Sequence, residues 1–105
     1  MKKVSDILLL LICFSIKADY LQKAEIYSGH ALRKFPDDIR ILEVRVYALL
    51  LQGNSEAAEE LLSTSPVSSR NLEYLRIRTA ILLSMPANEC ESRIRNYLSL
   101  RRQTA

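Results

Sequence analysis

Residues that turn a chain are scarce here, and that scarcity constrains the fold more than any other feature. Two glycines and three prolines serve 105 residues. A sandwich or barrel of short strands reverses direction every ten residues or so and needs many more turn formers. Apolar residues recur instead at helical spacing between a few breakers, so an all-α chain is expected. With 49% hydrophobic and 26% charged residues, the composition is that of a folding chain and not of a disordered one. A single domain over residues 1–105 is expected at this length. It would bury roughly 60–70% of its unfolded surface, which leaves little room for a deep active site.

Six helices follow from the breakers, at about 5–17, 20–34, 38–52, 55–63, 71–84 and 87–100. Ala18-Asp19, Phe35-Pro36-Asp37 and Gly53-Asn54 separate the first four. The stretch around Pro66 is the clearest loop, and Met85-Pro86 precedes the last helix. The turns near Asp19, Gly53 and Met85 are spaced by 34 and then 32 residues. Five residues after each stands a small side chain: Ala24, Ala58 and Cys90. Small residues let two helices cross closely, and this period with Pro36 and Gly53 at its breaks resembles a tetratricopeptide repeat. The expected architecture is three antiparallel helix pairs in a superhelical stack, with units at about 5–36, 39–70 and 71–102. A six-helix bundle with chance spacing is the alternative.

Two readings are open for the N-terminus. Lys2 and Lys3 before the apolar run Ile7–Ile16 have the layout of a secretory leader, with residues 1–18 removed or kept as an anchor. Asp6 at the mouth of the run, the bulky Ile16 and Lys17 near the cleavage position, and Leu11-Ile12 before Cys13 favour the second reading. In that reading the run is a buried first helix, capped by Ser5 and Asp6. It is too short to span a bilayer, which needs about 20 residues.

The odd-numbered helices are too apolar for ordinary surface helices. In the third, Ile39, Ile41, Leu42, Val44, Val46, Leu49, Leu50 and Leu51 surround nearly the whole axis, so burial on several sides is expected. In a short stack the first helix of each pair lines a concave groove. On this register the groove positions are Leu9, Cys13, Ile16, Tyr47, Leu50, Leu51, Leu72, Leu75, Thr79, Leu82 and Leu83. An apolar trough of that size is expected to be covered, by an amphipathic helix of a partner protein. The second helices or a dimer mate are the other candidates.

Chemistry-bearing motifs are missing. There is no glycine-rich phosphate loop, nucleophile elbow or zinc spacing, so neither an enzyme nor a cofactor or metal site is expected. His30 has no Cys or carboxylate at ligand spacing and reads as a surface or half-buried imidazole. Cys13 and Cys90 read as packing residues in a reducing compartment. Glu56, Glu59 and Glu60 read as a solvated face. The net charge is +3. The excess gathers at Arg93, Arg95, Arg101 and Arg102, where it suits a helix C-terminus better than a nucleic-acid stripe.

One family shares this order of segments. Its carriers are Asp6-Ile7-Leu8-Leu9-Leu10-Leu11, Lys23-Ala24-Glu25, Ala48-Leu49-Leu50-Leu51-Gln52-Gly53-Asn54 with Ala57-Ala58, and Glu91-Ser92-Arg93-Ile94. Over residues 6–98 the chain resembles the small tetratricopeptide-like chaperones that guard the needle subunit of bacterial type III secretion. The resemblance implies a cytoplasmic protein. It implies binding of the needle subunit's C-terminal amphipathic helix, with a small helical-hairpin co-chaperone, so that filaments do not assemble early. An exported or membrane-tethered helical protein and a basic DNA-binding regulator are the alternatives.

Overall fold

The computed structural model describes the backbone of residues 2–104 and the side chains of residues 4–100. Six helices occupy nearly all of it, and no strand occurs among the described residues. They are α1 (Lys2–Lys17), α2 (Leu21–Lys34), α3 (Ile39–Leu51), α4 (Ser55–Thr64), α5 (Arg70–Leu82) and α6 (Ala87–Thr104). The side chains of Lys2, Lys3, Arg101 and Arg102, which carry the leader's basic start and part of the C-terminal charge, lie outside the described residues. The chain forms two compact units, residues 1–54 and 55–105. The division falls between α3 and α4, the two helices expected to pair as the second repeat.

In the first unit α1, α2 and α3 pack on one another. Ile12, Ala31 and Ile41 are fully buried, one from each helix, and Leu8, Ile16, Tyr27, Leu32, Phe35 and Val44 close around them. Ala24, Ser28 and Ala31 give α2 its buried face, and their small size lets the neighbouring helices approach. Arg45 crosses from α3 to α2 and donates to the Glu25 carbonyl at 2.6 Å. Gly29 lies beside it, where an added Cβ would sit 3.5 Å from the guanidinium, in ordinary contact. Burial pushes the Arg45 guanidinium below its ordinary value.

Helix α1 departs from expectation in two ways. It begins at Lys2, so Ser5 and Asp6 are not its caps. Ser5 is a buried position one turn in, and Asp6 pairs with Arg40 of α3 at 2.9 Å. Helix α1 is also not buried on several sides. Ile7, Leu10, Leu11 and Phe14 stand in solvent, because α2 and α3 cover only the face that carries Ser5, Leu8, Ile12 and Ile16. Helix α3 does bury Ile41, Leu42, Val46, Ala48, Leu49 and Leu50, as its all-round apolar character demands. Asp38 caps it, accepting from the Arg40 backbone N–H at 3.0 Å.

Three helices end in the same way. Asp19, Gly53 and Ser84 have φ of 64°, 79° and 54°, the left-handed region. In each case the following residue donates back five positions: Tyr20 to Ser15, Asn54 to Leu49 and Met85 to Ala80, at 2.7–3.0 Å. The turns spaced by 34 and 32 residues thus share one backbone shape, yet glycine occupies only one of them. At Gly53 an added Cβ would meet nothing within 4 Å, so the cost of Gly53→Ala is backbone strain alone. Gly53→Ala is expected to lower stability by about 1 kcal/mol, and Ser84→Gly to raise it by about 0.5–1 kcal/mol. Urea denaturation of the two variants checks both signs.

In the second unit α5 packs on both α4 and α6. Ala58 and Leu62 of α4 and Leu72, Leu75, Thr79 and Ala80 of α5 are buried. The Ser69 hydroxyl caps α5, accepting from the Leu72 N–H at 3.1 Å. Between residues 87 and 100, α6 has no fully buried side chain. Here the small-residue pattern fades: Ala24 and Ala58 are fully buried, but Cys90 is only half-buried. Polar anchors hold α6 instead. Arg93 forks onto Glu59 of α4 at 2.9 and 2.8 Å, donates to the Arg76 carbonyl at 2.9 Å, and reaches Glu89 at 2.9 Å. Tyr74 and Tyr97 add a tilted ring contact at 6.2 Å between centroids. Arg76 in turn pairs with the buried Glu73 at 3.1 Å and donates to the Leu62 carbonyl at 2.9 Å, tying α5 to the end of α4.

Candidate functional site

The first unit carries an open cleft of about 520 Å³ lined by Cys13, Ile16, Lys17, Asp19, Leu21, Val44, Tyr47 and Leu51. Two features of the chain build it. The C-terminal half of α1 and that of α3 present side chains at helical spacing: Cys13, Ile16 and Lys17 from one, Val44, Tyr47 and Leu51 from the other. The left-handed turn at Asp19 then brings Leu21 up at the start of α2. The walls are mostly apolar, and Lys17 and Asp19 supply a charge of each sign. An engineered cavity of about 150 Å³ accepts a benzene ring, so the cleft has room for about three side chains of that size.

Of the residues expected to line a groove, Cys13, Ile16, Tyr47 and Leu51 meet here. Leu9 is half-buried on α1 and does not reach the cleft, and Leu50 is buried. In the second unit Leu72, Leu75 and Thr79 are buried, at 0%, 5% and 0% exposure, so they form core and not an open surface. Leu83 is half-buried and Leu82 is exposed, at the C-terminal end of α5. The reason is geometric. Positions 72, 75 and 79 form one helical stripe, and an apolar stripe has the same periodicity whether it faces a core or a ligand. Lys17, Asp19, Leu21 and Val44 were missed. Val44 was legible, since it continues the Tyr47–Leu51 spacing back by one turn; Leu21 depends on how the Asp19 turn is shaped.

The charged residues also sort differently from the sequence reading. Glu59 is not part of a solvated face: its fork with Arg93 leaves the two side chains 22% and 13% exposed. That bond holds the Glu59 carboxyl below its ordinary value, against the opposing effect of burial. Arg93 therefore contributes to an internal bridge within the second unit and not to a basic surface. His30 is exposed and accepts from Arg33 at 2.9 Å. Cys13 is exposed at the cleft and not packed. Among the described residues, no three His, Cys, Asp or Glu side chains are grouped to hold a metal ion. No helix there is long and apolar enough to cross a membrane.

No family model, curated protein or solved structure matches the chain.

Proposed function

We propose that this chain is a non-enzymatic chaperone of the type III secretion needle class, working in the cytoplasm. It holds the C-terminal amphipathic helix of the needle subunit, together with a small helical-hairpin co-chaperone. The observation that supports this reading is the open apolar cleft on the first unit, where Ile16, Val44, Tyr47 and Leu51 surround a space of the right size for one face of a helix. An occupant would place apolar residues at i, i+3 or i+4 and i+7 in the cleft, and set its register against Lys17 and Asp19.

The action is steric. A helix that drives polymerisation cannot pair with another subunit while its apolar face lies in the cleft. Affinity would come mainly from apolar burial, at about 25 cal/mol per Å² before the cost of ordering the segment. The charge pattern is consistent with a protein partner, because Arg76 and Arg93 are engaged within the fold.

Titration calorimetry with a synthetic peptide of the needle subunit's C-terminal helix tests this. Leu51→Glu and Tyr47→Glu are each expected to weaken binding at least tenfold with unchanged helical content, since burying a carboxylate against an apolar helix face costs more than the roughly 1.4 kcal/mol that a tenfold loss requires. Unaltered binding in both variants would overturn the cleft as the site. Absence of any binding by the unaltered chain, alone or with the co-chaperone, would overturn the chaperone reading.

A further inference from the structure

A second cavity of the first unit lies between α2 and α3. It is an open notch of about 310 Å³, and its walls include Glu25, Ile26, Gly29, His30 and Arg33 of α2 and Arg45 of α3. It shares no lining residue with the cleft. The five α2 positions fall on one face of that helix and span about 12 Å along its axis.

The guanidinium of Arg45 gives the notch its chemistry. Its Nη1 is engaged within the fold, donating to the Glu25 carbonyl at 2.6 Å and to the Ser28 hydroxyl at 3.4 Å. Nε and Nη2 have no acceptor among the described residues, and no carboxylate there forms an ion pair with Arg45. Those two nitrogens are one edge of the guanidinium fork, the edge that can hold a carboxylate through two parallel hydrogen bonds. Nη2 lies 3.7 Å from the place a Cβ on Gly29 would take, so this edge is at the wall of the notch. The charge is partly withdrawn from water, and Arg33 adds a like charge beside it. An arriving anion relieves both effects. Arg33 likewise has no carboxylate partner among the described residues. It donates to His30 Nδ1 at 2.9 Å, which leaves the imidazole proton on Nε2 as a further donor.

Charge and shape select the ligand. Arg33 and Arg45 against Glu25 leave one positive charge in excess, with His30 neutral. A single carboxylate balances that excess, and a dianionic phosphate exceeds it. The Glu25 carboxylate also opposes the repeated charge of a nucleic-acid backbone. Ile26, 50% exposed in the same wall, offers an apolar contact beside the charge. An open notch running along three turns of a helix suits a polypeptide segment, whereas small molecules favour sites that enclose them.

We propose that this notch is a carboxylate-docking site: the Nε and Nη2 edge of Arg45 holds an Asp or Glu side chain of a partner protein, Arg33 and His30 donate beside it, and an apolar neighbour of that acid rests on Ile26. The cleft takes no part, so the site stands whether or not the cleft binds a helix.

The probe is N-acetyl-leucyl-glutamate α-amide, which carries one side-chain carboxylate beside an apolar residue and no terminal charge. It is titrated into the isotope-labelled full chain at constant ionic strength and neutral pH, and the Gly29 amide and the Arg45 Nε–H are followed by NMR. Saturable shifts are expected at both, with a dissociation constant on the order of 1 mM. The glutamine counterpart of the probe should produce none. Arg45→Lys keeps the charge and loses the fork, so binding should weaken about tenfold. Arg33→Gln should weaken it about two- to fivefold, and Glu25→Gln should strengthen it by about the same factor. These last two side chains make no printed contact between helices, so their opposite signs decide the question if circular dichroism shows that Arg45→Lys does not fold. Absence of saturable shifts, an equal response to the glutamine probe, or equal affinity in the folded variants would overturn the proposal. Inorganic phosphate binding more tightly than the probe would assign the notch to phosphate and also overturn it.

Discussion

Leu75→Arg is expected to yield a chain whose second unit shows no cooperative unfolding transition. Leu75 is 5% exposed on the inward stripe of α5, with Leu72 and Thr79 one turn to either side. A guanidinium there replaces a buried apolar side chain, and its effective burial penalty is several kcal/mol. The unit holds about half the chain, and folds of that size have only a few kcal/mol of stability. The substitution therefore removes the unit's entire margin. Circular dichroism in urea reads this directly: the part of the signal carried by α4, α5 and α6 should be lost without a transition. Leu51→Glu is the contrasting case, because Leu51 is 37% exposed at the cleft and should leave the fold intact. A folded Leu75→Arg chain would mean that α5 turns that stripe outward, and would return Leu75 to the list of surface residues.

The second large effect is expected at Arg93. Arg93→Ala should lower the stability of the second unit by about 2–3 kcal/mol, since it removes a forked charge-assisted contact and strands a half-buried carboxylate. Arg93→Lys should recover less than half of that, because an ammonium cannot fork onto both oxygens of Glu59. Helix α6 has no buried side chain between residues 87 and 100, so the loss should appear first as faster amide exchange in α6. Acid should act through the same pair. The hydrogen bond from Arg93 holds the Glu59 carboxyl below its ordinary value of 4.5. Its stabilisation is complete above that value and is lost as pH falls below it, because the unfolded chain takes up the proton first. Between about pH 5 and pH 3 the unaltered chain should lose more stability than Glu59→Gln. Equal losses in the two chains would show that the Arg93–Glu59 bridge contributes nothing.

Much of the secondary structure was legible because its signals are local. Pro36, Gly53-Asn54 and Pro86 stop or start helices through their own backbone chemistry, and six helices were expected within a few residues of their ends. The turns at Asp19 and near Met85 were also read from local breakers, and their spacing suggested the repeat. Their left-handed geometry could not be read from Asp19 or Ser84, since neither is the residue such a turn prefers. The N-terminal limit of α1 was misplaced because Ser5 and Asp6 look like a cap. Ser5 is instead one of the small residues that let α1 approach its neighbours.

The candidate site was half legible. Cys13, Ile16, Tyr47 and Leu51 meet at the cleft, while Leu50, Leu72, Leu75 and Thr79, placed by the same register, lie in the core. Glu59 and Arg93 are 34 positions apart, and nothing in either neighbourhood marks them as partners.

By itself the sequence determined that this protein is helical and where its helices break. Those properties depend on backbone preference and on the repeat of apolar residues along a few turns. Only the tertiary structure decided which apolar stripe is core and which is surface. Ile12 and Leu10 are equally apolar and two residues apart on one helix, yet one is fully buried and the other 70% exposed. The difference lies in where α2 and α3 pack, and that is set by contacts between residues far apart in the chain.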